Sequence, residues 1–366
     1  MRFPDSLGRT WVRPVLVSTL CVAAVFAQTK AVPSQGVRPP VKPPLRGLIS
    51  MGKISFERID HGTPDNSIDD VAAKPDIFSA VVINVAWWQL QPARDALDTS
   101  VIQDALNAVR AYNSGHGRHP LRVKLRVWPG PNAPDWVKRL DGDPVTVIRN
   151  STGGRITIGR FWAPSYRRAW RDLQSRLASL YDAEPLVAEV SNSSCGSQTD
   201  EPFITTGDSF SVGNLHAAGL TDALYEDCLM DSIQDYTDWA TTRIDFAFSP
   251  FKRTDGQPFA DVNFTFKVMN AFRAALGQRA VLGQHSMNSP VSATLAPIYD
   301  HMQSLGPLIE FQTHSPKGLD WAGAIRNAIG YGADAVELWN GATGFGQSSV
   351  SVLQTWANTL SRQPSQ

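Results

Sequence analysis

The sequence predicts an α/β fold, a closed (β/α)₈ TIM barrel with loop insertions, and three observations carry that prediction. Eight short apolar runs recur between Gly47 and Trp339. Amphipathic helical periods fall between most of them, which implies parallel pairing through right-handed crossovers. The runs are also nearly continuous in apolar character rather than alternating, as expected of strands buried on both faces.

The strand runs are Gly47 to Met51, Ala80 to Trp87, Leu121 to Trp128, Leu186 to Ser191, Ile244 to Ser249, Ala280 to His285, Pro307 to Gln312 and Ala335 to Trp339. Helical patterns follow at Val101 to Asn113, Tyr166 to Tyr181, Thr221 to Thr242, Phe264 to Leu276, Leu295 to Leu305 and Trp321 to Gly330. The first helix is the weakest element, because Asp60 to Lys74 is mostly polar. A doubly wound sheet would carry a glycine-rich phosphate turn after its first strand, and Gly47 to Lys53 has none.

Ahead of the barrel the composition changes twice. Arg2, Arg9 and Arg13 precede an apolar stretch from Val15 to Ala27, and Val25-Phe26-Ala27 offers a small residue for cleavage. Residues 1–27 therefore read as a secretory signal peptide. Residues 28–46 carry Pro33, Pro39, Pro40, Pro43 and Pro44 and read as a proline-rich linker. Residues 47–366 form the barrel, and the signal peptide implies a secreted or periplasmic protein with no integral membrane segment after signal cleavage.

Charge narrows the function classes. Thirty-four Lys and Arg balance 34 Asp and Glu, so no basic excess exists to neutralise nucleic-acid phosphates. Cys21 departs with the leader, leaving Cys195 and Cys228 for an oxidising compartment. A bridge between them would close a loop of 33 residues and contribute about 3 kcal/mol; two unpaired buried thiols are the alternative.

Chemistry in such a barrel sits at the C-terminal strand ends. Strand seven, Pro307-Leu308-Ile309-Glu310-Phe311-Gln312-Thr313-His314, sets Glu310 within an apolar run. Strand eight leads into Trp339, strand three into Trp128, and strand two into Trp88. Indole faces beside carboxylates suit a sugar ring, whose C–H face is apolar and whose hydroxyls need polar partners. Gln284 and His285 after strand six, and His314 beside Glu310, are further polar groups that could hold substrate. No zinc, calcium-loop, phosphate-loop or nucleophile-elbow pattern occurs, so no cofactor and no metal is expected. Asp65, Asp69 and Asp70 lack calcium-loop spacing and read as a solvated loop.

These residues resemble the clan A glycoside hydrolases. Val85-Ala86-Trp87-Trp88-Gln89-Leu90-Gln91-Pro92 is similar to the clan's W-x-x-L-E-P signature, with Gln91 where Glu is usual. Leu125-Arg126-Val127-Trp128-Pro129-Gly130-Pro131 is similar to the L-R-x-G-P-Y run of the beta-galactosidase members, and Pro307 to Gln312 resembles the nucleophile strand. The resemblance spans Gly47 to Gly344 and implies retaining hydrolysis of a carbohydrate substrate by two carboxylates. It makes Glu310 the nucleophile, Asn192 the group that meets the sugar 2-hydroxyl, and Trp339 a stacking platform. Strand four departs from the clan's E-x-x-N-E-P: it reads Glu189-Val190-Ser191-Asn192-Ser193-Ser194, with Ser193 in the acid/base position. Asp200-Glu201-Pro202 follows in the same loop and makes Glu201 the displaced acid/base, with Glu189 and Asp200 as competing assignments. The alternative is a non-catalytic glycan-binding barrel that has lost its acid/base.

Overall fold

The computed structural model describes residues 40–51, 53–55, 63–65, 68–117, 119–204, 207–255, 260–314, 319–341 and 344–361. The segment read as a signal peptide, residues 1–27, and the segment read as a linker as far as residue 39 lie outside the described residues.

Eight parallel strands close into a barrel. They are β1 (Gly47–Ser50), β2 (Phe78–Ala86), β3 (Arg122–Trp128), β4 (Val187–Ser191), β5 (Arg243–Ala247), β6 (Ala280–Met287), β7 (Ile309–Thr313) and β8 (Ala335–Leu338). Each strand pairs with its neighbours in sequence, and β1 closes the ring against β8 through pairs such as Ile49 with Glu337. All eight coincide with the runs read from the sequence.

The outer layer is α1 (Ser100–Gly115), α2 (Pro164–Tyr181), α3 (Ser209–Ala217), α4 (Asp222–Ser232), α5 (Val262–Leu276), α6 (Ala296–Ser304), α7 (Trp321–Gly330) and α8 (Val350–Ser361). Helix α2 shows why these segments are helical. Pro164 opens it, where no backbone donor is needed. Tyr166, Trp170, Leu173, Leu177 and Tyr181 then form one buried stripe, with Trp170 edge-on to Trp87 at 4.9 Å. The Asp261 carboxylate caps α5 by accepting the Phe264 N–H at 3.0 Å.

Four details differ from the sequence reading. The period read over Thr221 to Thr242 ends at Ser232 and tightens into a 3₁₀ turn, Ile233–Tyr236. There the Tyr236 hydroxyl accepts from the Ser193 N–H and donates to the Ser191 carbonyl, which fixes the end of β4. Helix α3 escaped notice because only Ser211 and Leu215 are buried on it. Helix α8, carrying Leu353, Ala357 and Leu360 inward, follows the last strand. The barrel unit also begins before Gly47: Leu45 is buried, Lys42 N–H donates to the Thr241 carbonyl, and Lys42 Nζ reaches the Val187 carbonyl at 2.7 Å. Residues 40–46 thus form a strap across the barrel floor rather than a free spacer.

Candidate active site

The interior of the barrel is charged. On β3, Val123, Leu125 and Val127 face the helices, while Lys124, Arg126 and Trp128 point inward by strand alternation. Lys124 Nζ pairs with Asp245 on β5 at 2.8 Å, with Glu310 on β7, and with Glu337 on β8 at 3.4 Å. One layer higher, Arg126 grips Glu337 with two parallel hydrogen bonds of 2.8 and 2.7 Å. Its Nε lies 2.9 Å from Asp200 Oδ2 in the loop after β4. His285 Nδ1, on β6, stands 3.6 Å from both Asp200 Oδ2 and Glu201 Oε1. A column of alternating charge therefore climbs from the floor to the mouth.

Gly283 makes room for this column. A Cβ there would lie 2.2 Å from Asp245 Oδ1, so any side chain on that inward position of β6 would displace the carboxylate that holds Lys124.

The column divides its acids electrostatically. Burial raises the pKa of Glu337, yet the Arg126 and Lys124 charges outweigh it and pull the value down to about 2. Burial pushes Glu310 well above the ordinary carboxylate range, against the opposing pull of Lys124. Burial likewise raises Glu189, opposed chiefly by the Lys124 charge. Glu201 is raised by burial, opposed chiefly by His285.

Glu310 does not stand at the mouth. It is the second residue of β7, in register with the first residue of β8, Ala335. It faces Pro44, Leu45 and Glu189 in the floor, where the strap leaves no room for a sugar ring. The Leu45 N–H donates to Glu189 Oε1 at 3.3 Å, so Glu189 belongs to the floor as well. The β7 residue that shares the inward face nearer the mouth is Gln312. An amide in that place cannot attack an anomeric carbon.

The loop after β4 carries Asp200 and Glu201 over the barrel. The Cys195–Cys228 disulfide ties it to α4 with a Cα separation of 6.1 Å. The Gln198 amide accepts from Asn150 N–H and donates to the Ile148 carbonyl, and the Tyr225 hydroxyl donates to the Pro202 carbonyl at 3.1 Å. Fastened on both sides of Glu201, the loop leaves that side chain 16% exposed.

The other expected substrate contacts separate into two groups. His285 joins Glu201, as described. Trp128 closes β3 and donates its indole N–H to Asn84 at 2.9 Å, inside the barrel. Trp339 is half-buried at the rim, bonded to the Thr313 carbonyl, His314 is exposed there, and Trp88 is half-buried in the short helix Trp87–Leu90 after β2. Asn192 and Gln284 point elsewhere. Asn192 spends its amide on Ser232 Oγ of α4 and the Ser194 N–H. Gln284 faces outward beneath α6, accepting the Tyr299 hydroxyl at 2.7 Å. Ser193 donates its hydroxyl to the Val127 carbonyl and is fully buried.

Lys124, Arg126, Asp245 and Glu337 were missed in the sequence. For Lys124 and Arg126 the signal was a strict alternation of charged and aliphatic residues from Val123 to Val127; Asp245 and Glu337 are single acids within apolar runs and carry no such pattern.

No protein-family model and no curated protein matches the chain. Among solved structures, endo-glycoceramidase II from Rhodococcus sp., in a five-membered iminocyclitol complex, is 16% identical over 82% of this chain and 75% of its own, with a TM-score of 0.50. An endogalactoceramidase is 17% identical over 81% and 70%, with a TM-score of 0.49. A structure described as a glycoside hydrolase is 11% identical over 81% and 88%, with a TM-score of 0.47. At these identities the likeness is one of fold, and by fold this chain is an eight-stranded α/β barrel similar to that of endo-glycoceramidase II.

Proposed function

We propose that the protein is a secreted glycoside hydrolase whose working carboxylates are Glu201 and Asp200. One observation carries the reading: two carboxyl groups converge on His285 at the mouth in unlike surroundings, Asp200 against the Arg126 guanidinium and Glu201 with its pKa raised by burial. Carboxyls whose environments diverge in this way suit an acid and its anionic partner. Glu201 protonates the leaving glycosidic oxygen. Asp200 supplies the negative charge that meets the anomeric centre, directly or through water. The rim tryptophans Trp88 and Trp339 are the platforms for sugar rings. The disulfide supports an oxidising compartment, hence export. A retaining course, implied by the resemblance, would need Asp200 rather than Glu310 as nucleophile; NMR of the first-formed anomer distinguishes retention from inversion.

Kinetics of three variants test the assignment. Glu201→Gln and Asp200→Asn should each lower kcat by roughly 10²- to 10⁴-fold, while Glu310→Gln keeps near-native turnover. Loss of turnover in a folded Glu310→Gln protein, with Asp200→Asn active, would overturn it. A second reading, a glycan-binding barrel without turnover, is favoured by Ser193 standing where the clan pattern has its acid/base and by an amide, Gln312, standing on β7 nearer the mouth than Glu310. Oligosaccharide that binds and is recovered intact after long incubation would establish it.

A further inference from the structure

A cavity of about 640 Å³ opens on the outer wall of the barrel, between the loop after β2 and the upper half of α2. Its size is that of a small-molecule site. Gln91 makes the floor rigid: its side chain accepts the Trp87 indole N–H at 2.9 Å and donates to the Arg94 carbonyl at 3.1 Å, while its own carbonyl accepts the Trp136 indole N–H at 3.0 Å. The walls carry Arg94, Arg168 and Arg176 against Asp95 and Asp172, an excess of positive charge. Arg176 has Asp172 at 4.0 Å. Among the described residues, neither Arg94 nor Arg168 has a carboxylate within that distance; Arg94 lies over the Trp136 ring at 5.5 Å, and Arg168 donates to Ser165 Oγ. Two guanidiniums that no carboxylate among the described residues approaches within 4.0 Å, beside a half-buried indole on a fixed floor, present planar donor forks and an apolar face in one concavity.

We propose that this groove is a second carbohydrate site, which takes a sugar bearing a carboxylate or a sulfate ester. The anionic group binds the forks of Arg94 and Arg168, whose geometry matches such oxyanions. The ring's C–H face packs on Trp136. The assignment rests on the groove's own lining and stands whether or not the mouth is catalytic.

Calorimetric titration of the full chain tests it, using a uronic-acid oligosaccharide, a sulfated oligosaccharide, a neutral oligosaccharide of equal length, inorganic sulfate and an acidic peptide. At least one anionic oligosaccharide should bind saturably, with affinity falling as salt rises, and the neutral one should bind this groove at least about tenfold more weakly. The double variant Arg94→Gln with Arg168→Gln should lose roughly tenfold or more in affinity, as should Trp136→Ala. Glu201→Gln should leave this binding unchanged, which separates the groove from the mouth. Both arginines are exposed, so the double variant should keep the native melting temperature. Absence of binding, equal affinity for the neutral sugar, or insensitivity to the double variant would overturn the proposal. Inorganic sulfate or the acidic peptide binding as tightly as the sugars would overturn it too, by showing an anion site without sugar selectivity.

Discussion

Arg126 is the residue on which the mouth depends. It joins Glu337 of β8 to Asp200 of the loop after β4 and is wholly buried. Removing it leaves buried Glu337 with only the longer Lys124 contact of 3.4 Å and takes the guanidinium from Asp200. Arg126→Met should therefore destabilise the fold by about 3–5 kcal/mol, read from denaturant unfolding. Arg126→Lys keeps the charge but loses the two-pronged grip on Glu337, so it should retain more stability while still loosening Asp200. If Arg126→Met unfolds like the native protein, the pair with Glu337 is not the constraint described here. Glu201 adds a second expectation at this scale. Burial raises its pKa, so the alkaline limb of kcat/KM should fall above its ordinary value of 4.5, and Glu201→Asp should shift that limb.

Among the elements, the loop from Asn192 to Ile204 is the one whose order matters most. Two anchors hold it, the disulfide to α4 and the contacts of Gln198 and Pro202. Cys195 and Cys228 are 33 residues apart, and opening that cross-link should cost about 3 kcal/mol through the entropy of the unfolded chain. The paired Cys195→Ser, Cys228→Ser variant should melt lower than the native protein, and a reductant should lower only the native melting point. Equal melting points would show that the loop is held by its hydrogen bonds alone. The same scale explains which elements were legible. Helix α2 announces itself through five large side chains on one face. Helix α3 could not be found by that rule, because it buries little and rests on the hairpin of Val145–Ile148 with Arg155–Ile158, where Asn214 Nδ2 donates to the Thr146 carbonyl, and on its cap, where Asp208 accepts the Ser211 N–H.

Taken as a whole, the molecule encloses more carboxyl groups than cations along its axis, and this sets its response to pH. Glu189, Glu310 and Glu201 hold their protons more tightly folded than unfolded, all three chiefly through burial. The stability they contribute is complete below their ordinary value of 4.5 and is lost as pH rises toward their raised values. Glu337 works the other way: held down to about 2, it contributes stability above 4.5 that is lost as pH falls toward 2. Both trends together place the most stable state in mild acid. Denaturant midpoints measured from about pH 3 to about pH 8 should pass through a maximum near about pH 4 to 5. A midpoint that climbs steadily to neutrality would contradict the raised values.

The sequence by itself determined the barrel. Eight apolar runs separated by amphipathic helices admit few topologies, and a strand apolar on both faces declares its burial without any knowledge of its partners. Asp200, Glu201 and the two cysteines could be singled out as candidates in the same way, from short stretches of chain. Depth within the barrel was decided only by the tertiary structure. Glu310 and Gln312 share one face of β7, and the hydrogen-bond register with β6 and β8 assigns one to the floor and the other toward the mouth. Likewise Lys124 and Arg126 acquire their partners from β5, β7, β8 and the loop after β4, residues as much as 213 positions away. Closure of the ring brings those charges together. Burial then makes their pairing obligatory, because an unpaired charge in the barrel's interior would cost more than the fold could sustain.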